Sequence, residues 1–234
     1  MKNYNKEAII LCIGLIIMGA CIADGLTSAF QSDRIVTVKG LSEREVPADK
    51  VTWPLVYKEL GNEPADMYNR LATKNRQVID FLKEKGISEN EISESAIQVS
   101  DRQADSYDQN NILYRYKATS VITVTSSQVE LIRKIMQSQS ELMKMGIALI
   151  TEEYGTNTVK YEFTGLNEIK PDMIEESTKN ARATAEKFAK DSDSKLGKIR
   201  KASQGQFSID NRDANTPYIK RIRVVSTIEY YIED

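Results

Sequence analysis

The sequence contains no histidine among its 234 residues. Histidine is the only side chain whose unperturbed pKa lies close to neutral pH, so its absence removes the commonest general base. A Ser-His-Asp triad, a Cys–His nucleophile pair and a His-ligated zinc site are therefore excluded. Any catalysis by this chain would have to rest on Asp, Glu, Lys, Ser, Thr or Tyr side chains.

Cysteine is almost as scarce, and both cysteines, Cys12 and Cys21, lie in one apolar N-terminal segment. The rest of the chain therefore has no disulfide framework, no thiolate nucleophile and no cysteine-ligated metal cluster. An excess of charge of one sign is also lacking, because 32 basic and 34 acidic residues leave a net charge of −2. No broad electrostatic attraction to nucleic acid is expected from that balance.

The apolar N-terminal segment is uncharged over residues 8–23 and follows Lys2 and Lys6. As a helix this run measures about 24 Å, which is short for a hydrocarbon core of about 30 Å. Extension to residue 30 reaches a full span but includes Asp24, which would have to lie at the outer interface.

Three interpretations of this segment stay open. The two lysines fit an uncleaved signal anchor with its N-terminus in the cytoplasm. The small residues before Cys21 fit a lipoprotein signal in which Cys21 is the lipidation site. A cleaved signal peptide with its end near Ala23 is the third interpretation. All three predict that residues 1–33 form a signal or anchor with a short linker, and that residues 34–234 are exported.

Beyond residue 33 the pattern predicts strands, a short helix and two long helices. The first long helix begins near Pro64 and ends at Gly86, and the second begins at Pro171 and ends near residue 192. Their apolar or small stripes are Met67, Leu71, Val78 and Leu82 in the first helix, and Ile174, Ser177, Ala181, Ala185, Phe188 and Ala189 in the second. The short helix covers residues 127–140, and the strands cover residues 35–39, 50–60, 92–100, 112–125, 146–151, 158–163, 198–209 and 218–232.

The same order of strand, strand, long helix, strand, polar loop and long strand occurs twice, in halves at about residues 34–125 and 146–233. In both halves a loop rich in Asp and Asn joins the last two strands as a hairpin. Pro54 indicates an edge position or a bulge in its strand. The sequence predicts an α+β fold of two similar β-β-α-β-β units, with long helices packed on mostly antiparallel sheets, preceded by an N-terminal transmembrane or signal helix.

Three stretches carry a resemblance to a known family. "IVTVKGLSEREVPADKVTW" has a strand, a glycine, a short charged stretch and a second strand. "NRQVIDFLKEKGISENEISESAIQV" has a helix, a Gly-Ile turn and a strand, and "ARATAEKFAKDSDSKLGKI" has an Ala-rich helix that runs into Leu-Gly-Lys-Ile. In this order and spacing they resemble SIMPL-domain proteins of the bacterial envelope, over residues 34–233.

The resemblance implies an exported protein of poorly defined biochemistry. Together with the N-terminal segment it predicts an inner-membrane anchor with the ectodomain in the periplasm or outside; a lipoprotein or a soluble periplasmic form is the alternative. Relatives are linked to envelope stress, including oxidative stress, and some assemble into large ring-like or channel-like homo-oligomers. The family has no agreed catalytic residues, so the resemblance carries over no catalytic, cofactor or metal site.

Acidic residues form two candidate groups. Glu43 and Glu45 lie two apart, which puts both on one side of an extended chain, where a carboxylate pair can serve acid–base chemistry. Their charged neighbours favour instead a strand–loop–strand whose charges meet water or a subunit contact. The loop 101–111 lacks the glycine and closing Glu of a calcium-binding EF-hand, so it and the loop 208–217 are predicted to be hairpin tips. Their acids are Asp101, Asp105, Asp108, Asp210 and Asp213.

Tyrosines on or near the long strands form the candidate interaction surface, namely Tyr107, Tyr114, Tyr116, Tyr218 and Tyr230, with Tyr231 beside them. Packing on a half-buried sheet explains such tyrosines, and contact with another subunit or a ligand is the alternative. Basic residues of the same strands are predicted to form a solvated face or a surface for anionic lipid or glycan; they are Arg115, Lys117, Lys220, Arg221 and Arg223.

These patterns, together with the resemblance, predict a non-enzymatic envelope protein that acts through homo-oligomeric or other protein–protein contacts; a role in protection against envelope or oxidative stress is what the resemblance implies. No cofactor, metal or nucleic-acid partner is expected. One alternative is a module that binds an envelope small molecule or a glycan on the tyrosine-rich face. The other is a hydrolase that uses Glu43 and Glu45.

Overall fold

The structure, a computed structural model, describes residues 5–30, 34–105, 113–150 and 157–233. Within these ranges the helices are α1 (Asn5–Phe30), α2 (Pro64–Glu84), α3 (Arg102–Asp105), α4 (Val129–Gln137), α5 (Ser140–Lys144) and α6 (Leu166–Asp191). The strands are β1 (Ile35–Pro47), β2 (Lys50–Gly61), β3 (Ile92–Glu94), β4 (Gln98–Asp101), β5 (Tyr116–Ser126), β6 (Lys160–Glu162), β7 (Lys195–Gln204), β8 (Ser208–Asn211) and β9 (Ile219–Glu233).

The strands form two sheets. Sheet I has the order β1-β9-β7, and β8 also pairs with β9. Sheet II has the order β3-β5-β2-β6, and β4 also pairs with β5. Both predicted hairpins are present, because β4 pairs antiparallel with β5 and β8 pairs antiparallel with β9. The predicted α+β fold, with long helices and antiparallel sheets, is confirmed.

The N-terminal helix is present as α1, and Cys12 and Cys21 are both exposed on it. In the described part of the chain, no helix is both long and apolar enough to cross a bilayer. The interpretation of α1 as a membrane anchor, a signal or a lipidated segment stays a prediction.

Residues that pack together divide the chain into two compact units. Unit A comprises Met1–Ser42, Ile174–Gln206 and Val224–Asp234, and unit B comprises Glu43–Met173 and Phe207–Arg223. Each unit is assembled from segments that are distant in the sequence. The division into two sequential pseudo-repeat halves stays a prediction.

The core of unit B lies between α2 and sheet II. The predicted stripe on α2 is confirmed, because each of its members is at most 1% exposed: Met67, Leu71, Val78 and Leu82. On β5 alternate residues are completely inaccessible, as the period-two pattern requires: Ala118, Ser120, Ile122 and Val124. The sequence periodicity thus places helix and strand faces correctly in this unit.

The core of unit A lies between α6 and sheet I and is built from small helical residues. Four of the six predicted positions on α6 are at most 2% exposed: Ser177, Ala181, Ala185 and Ala189. Sheet I contributes Val38, Ile228 and Tyr230 to the same cluster. Phe188 was wrongly assigned to this stripe, because it is 58% exposed, and Met173 is buried instead.

Strand β1 is longer than predicted, because Gly40 does not end it. A Cβ at Gly40 would lie 1.8 Å from the backbone oxygen of Ser177 and 2.9 Å from the Cβ of Ala181. This glycine therefore permits the close approach of α6 rather than a turn. The charged stretch predicted as a loop is the second half of β1, and it alternates between exposed Glu43 and Glu45 and half-buried neighbours.

Helix α6 begins at Leu166, five residues before the predicted start at Pro171. The chain just before the helix is held by Asp49, whose carboxylate accepts hydrogen bonds from the backbone N–H groups of Thr164 and Gly165. These bonds set the helix start earlier than the proline, which is tolerated at the cost of one helical hydrogen bond.

Three strand predictions also differ from the structure. Residues 146–150 of the predicted strand 146–151 are irregular, although the Ile150 N–H donates to the Val56 carbonyl at 2.7 Å. The predicted strands 92–100 and 198–209 are each two shorter strands, β3 with β4 and β7 with β8. Pro54 is tolerated in β2 because β6 pairs only with residues 50–52, so the proline side of β2 has no strand partner among the described residues.

Candidate functional site

The tyrosines of the predicted interaction surface lie in different surroundings. Tyr230 is 3% exposed and belongs to the core of unit A. Tyr116 and Tyr218 are half-buried against the core of unit B, whereas Tyr114 is 41% exposed. Tyr107 lies outside the described residues. Among the four described rings, those of unit B are the ones that retain accessible surface.

Tyr218 borders a surface cleft of 400 Å³ in unit B, here named the tyrosine cleft. The guanidinium carbon of Arg133 lies 3.4 Å from the centre of the Tyr218 ring, and the Tyr161 ring meets it edge-on with centroids 6.2 Å apart. A cation over one face and an aromatic edge beside it hold the Tyr218 ring in place. The cleft is lined by Pro47, Ala48, Ser127, Gln128, Val129, Glu130, Leu131 and Tyr218.

A chain of hydrogen bonds links the core of unit B to its surface. The Tyr57 hydroxyl and the Ser120 hydroxyl both donate to the side-chain oxygen of Asn75, the latter at 2.9 Å. The side-chain nitrogen of Asn75 donates to the carboxylate of Glu94, which is exposed. Burial raises the pKa of Tyr57 to about 12, so its hydroxyl remains a neutral donor at physiological pH.

Glu94 also borders a second cleft of 490 Å³, here named the edge cleft, where α2 meets strands β3 and β4. Two of its lining residues are strongly exposed for their size, Tyr68 at 60% and Val99 at 56%. The remaining lining residues are Ser95, Ala96 and Ile97. An aromatic ring and an aliphatic side chain therefore stand open to solvent along one edge of sheet II.

The charges of the stretch 43–50 are mostly engaged within unit B. Glu45 forms an ion pair with Arg212 at 3.5 Å, and Lys50 forms one with Glu162 at 3.3 Å. Glu43 and Glu45 do lie on the same exposed side of β1, as predicted from their spacing. Both are exposed in similar surroundings, whereas two carboxylates that serve acid–base catalysis lie in contrasting environments.

The acidic residues of the two hairpin loops serve as local anchors. Asp101 accepts two hydrogen bonds from the Arg115 guanidinium, at 3.0 and 2.8 Å, which hold the pKa of Asp101 below its usual range. Bonds from the side chains of Thr216 and Arg212 and from backbone N–H groups lower the pKa of Asp213 to about 2. Asp108 lies outside the described residues. Among the residues the structure describes, no group of acids is placed to hold a metal ion.

The predicted basic strand face divides between buried and exposed positions. Lys220 is 8% exposed and donates to the side-chain oxygen of Asn211, and burial lowers the pKa of Lys220. Arg221 and Arg223 are exposed on β9. Arg115 is held by Asp101, so this group does not form a continuous cationic surface.

A family model matches residues 36–226 of the sequence, and its description reads "SIMPL: Protein of unknown function (DUF541)". The chain belongs to the SIMPL family. The match covers most of the chain beyond residue 33, so the resemblance carried by the three sequence stretches is confirmed. A comparison with curated proteins finds no match.

Among the described residues, each sheet of the SIMPL domain has a strand edge paired on one side only that the sequence reasoning missed. In sheet I, β7 pairs with β9 on one side, and its residues from Ile199 onward are all exposed. In sheet II, β3 and β4 pair with β5 on one side, and Val99 and Gln98 are exposed on β4. The available signal was charge of a single sign: residues 195–204 hold four basic and no acidic residues, and residues 88–101 hold four acidic and no basic residues.

Proposed function

We propose that this protein works without catalysing a reaction, as a SIMPL-domain protein that binds further copies of itself through its open strand edges. The observation that carries the proposal is β7, a ten-residue strand that, among the described strands, is paired on one side only. A long exposed edge presents unpaired N–H and C=O groups, which form a template for another strand. Ile199, 52% exposed on that edge, adds apolar surface of the kind that protein contacts bury.

Two further parts of the proposal rest on the family and on the N-terminal segment. The apolar helix α1 would direct or tether the domain to the bacterial cell envelope. The stress-protective role, against envelope or oxidative stress, is supported by the resemblance to SIMPL relatives alone. Deletion of the coding sequence followed by exposure of cells to peroxide tests it, and growth equal to that of the parent strain would contradict it.

The absence of enzymatic activity is supported by the chemistry of the titratable groups. The chain has no histidine. The strongly shifted groups have structural surroundings: Tyr57 is buried between α2 and sheet II, and Asp213 organises a turn. Asp213 is bonded by the guanidinium of Arg212 and Tyr57 by the amide of Asn75, and neither partner exchanges a proton at neutral pH.

Self-association is tested on the full-length chain in a mild detergent, by sedimentation equilibrium from low to high micromolar concentration. We expect a mass that rises above one chain with concentration, and that falls again in the variant Ile199→Glu. The matched control is Met143→Glu, which changes a methionine that is 64% exposed on α5. A single-chain mass for the unaltered protein throughout the range would rule the proposal out.

A second candidate function is ligand binding at the tyrosine cleft, which the Arg133–Tyr218 contact favours. Tyr218 borders the cleft and can contact the apolar face of a ligand, and Glu130, which lines the cleft and pairs with Arg133 at 2.7 Å, can accept a hydrogen bond from a ligand hydroxyl. Thermal-shift measurements with envelope glycans and small anionic metabolites test it. A ligand whose effect is lost in both Arg133→Ala and Tyr218→Ala would support this candidate, and one unaffected by either change would bind elsewhere.

A further inference from the structure

The two open edges of this protein differ in charge, which indicates how copies would join. We propose that copies associate head to tail: strand β7 of one copy adds to the β3–β4 edge of a second copy. This inference rests on the proposed function, because it names which edges meet in self-association. Under this proposal, the molecule that binds at the edge cleft is a second copy of the chain.

The backbone groups of the two edges suit each other in length. β7 runs over ten residues, Lys195–Gln204, and the segment from Ile92 to Asp101 that contains β3 and β4 also has ten residues. The latter segment stays close to β5 between its two strands, because the Ser95 N–H donates to the Val121 carbonyl at 3.0 Å. Both edges are interrupted, β7 by register irregularities between Leu196 and Lys201 and the other edge between β3 and β4, so a new ladder would form in short stretches.

The charges of the two edges are opposite. β7 carries Lys195, Lys198, Arg200 and Lys201 without an acid, whereas residues 88–101 carry Glu89, Glu91, Glu94 and Asp101 without a base. Arg200 has an intramolecular partner, Glu229 at 3.4 Å. In the part of the chain that the structure describes, the three lysines of β7 make no ion pair, so they remain available to a partner strand.

Several acids of the other edge have local partners but retain exposed surface. Glu89 pairs with Lys83 at 3.1 Å and its side chain is still 84% exposed. Asp101 is held by Arg115, and Glu94 by Asn75. These contacts fix the positions of the carboxylates on the edge. The carboxylates remain accessible to the basic residues of a partner strand.

The apolar groups complete the match. Ile199 is 52% exposed on β7, and the edge cleft of 490 Å³ offers the open faces of Tyr68 and Val99. An aliphatic side chain of an added strand finds in such a cleft an apolar pocket beside the new ladder. Main-chain bonds then give affinity, and the pocket and charges give specificity.

Pairing of like edges, and pairing of β7 with the edge of β1, lack this complementarity. Two copies of β7 would place four basic residues against four, and two β3–β4 edges would place acids against acids. The β1 edge of unit A carries Lys39 as the one charge between residues 35 and 42, so it offers no acid to β7. The contact is therefore heterologous, and every copy keeps one open edge of each kind.

The test uses two full-length variants that each block one edge, studied in the same mild detergent. Ile199→Glu places a negative charge on the basic edge, and Val99→Lys places a positive charge on the acidic edge. Each change replaces an exposed side chain, and circular dichroism verifies that each variant is folded. We expect each variant alone to associate at least about tenfold more weakly than the unaltered chain.

The decisive measurement is the equimolar mixture of the two variants. The native β7 of Val99→Lys and the native β3–β4 edge of Ile199→Glu remain able to pair, so we expect the mixture to associate although neither variant does so alone. Two variants that stay monomeric when mixed, while the unaltered chain associates, would overturn this inference and leave self-association through other surfaces standing. A monomeric unaltered chain would overturn the proposed function as well.

A second observation separates head-to-tail pairing from pairing of like edges. If β7 paired with β7, Val99→Lys would associate as well as the unaltered chain, and the mixture would give no new species. That outcome contradicts the proposal. Loss of the mixed complex at high salt, with recovery when the salt is removed by dialysis at constant protein concentration, is expected because opposite charges carry the specificity.

Discussion

Gly40 of β1 lies so close to Ser177 of α6 that a Cβ atom on the glycine would stand 1.8 Å from the serine backbone oxygen. The obstacle is the backbone of a helix, which cannot turn aside as a side chain can. Ser177 reinforces the same approach, since its hydroxyl lies 2.7 Å from that of Ser226 on β9. The helix and the sheet of unit A are thus fixed at short range by small residues and a polar contact.

Replacement of this glycine is expected to loosen unit A. Gly40→Ala forces α6 away from sheet I, and overpacking of this kind costs about 3 kcal/mol in the free energy of unfolding. Urea denaturation followed by circular dichroism measures the change. Gly14→Ala is the matched control, because a Cβ there meets nothing within 4 Å. Equal stability of Gly40→Ala and the unaltered chain would contradict the close packing.

The side-chain amide of Asn75 is expected to contribute to the free energy of unfolding through its buried hydrogen bonds. Asn75→Ala leaves the hydroxyls of Tyr57 and Ser120 without their acceptor, and an unsatisfied buried polar group costs about 1–3 kcal/mol. Tyr57→Phe removes one of those hydroxyls in advance. In a double-mutant cycle measured by urea denaturation, we expect a coupling of about 1 kcal/mol between the two changes. Strict additivity would show that the hydrogen bond contributes nothing.

Tyr57 is also expected to give stability a dependence on alkaline pH. Burial raises the pKa of its hydroxyl from 10.0 to about 12 in the folded protein. The folded state therefore binds this proton more tightly than the unfolded state does. Its contribution of about 2–3 kcal/mol is complete below pH 10, and it declines as pH rises from about 10 toward 12.

The measurement is the free energy of unfolding against pH, compared between the unaltered chain and Tyr57→Phe. Titration of other groups is common to both proteins, so the difference between the curves reports Tyr57. We expect that difference to shrink as pH passes from 10 toward 12. Parallel curves across this interval would show that the folded and unfolded states release the proton alike.

The periodic parts of the fold were predictable from the sequence, and the strand partners were not. Helix α2 and strand β5 have strong local patterns, because most of their apolar positions face one core. Both hairpins followed from polar loops between alternating runs. The order of strands within a sheet depends on contacts between distant segments, which a local pattern does not encode.

The candidate site illustrates the same limit. Tyrosine content indicated an interaction surface, yet Tyr230 is in a core while Tyr68, which the prediction did not include, is 60% exposed. The type of residue was informative, but its face depended on packing. Asn75 was missed although it lies within the stripe of α2, four residues after Leu71, where a polar residue signals a buried hydrogen-bond partner. The basic residues of β7 could be interpreted as a contact surface only once the structure showed that β7 lies at the edge of its sheet.

Asp49 is expected to be the residue of the charged stretch 43–50 that matters for stability. Its carboxylate accepts bonds from the N–H groups of Thr164 and Gly165 at 2.9 and 3.0 Å, just before α6 begins. It therefore serves the first turn as a capping residue does, and Asp49→Ala should cost about 1–2 kcal/mol in the free energy of unfolding. Asp49→Asn keeps one acceptor and should cost less.

Glu43→Ala, an exposed acid of the same stretch, is the control and should change little, because surface substitutions stay within about 0.5 kcal/mol. If both alanine variants unfolded at the same urea concentration, the carboxylate would have no part in starting the helix.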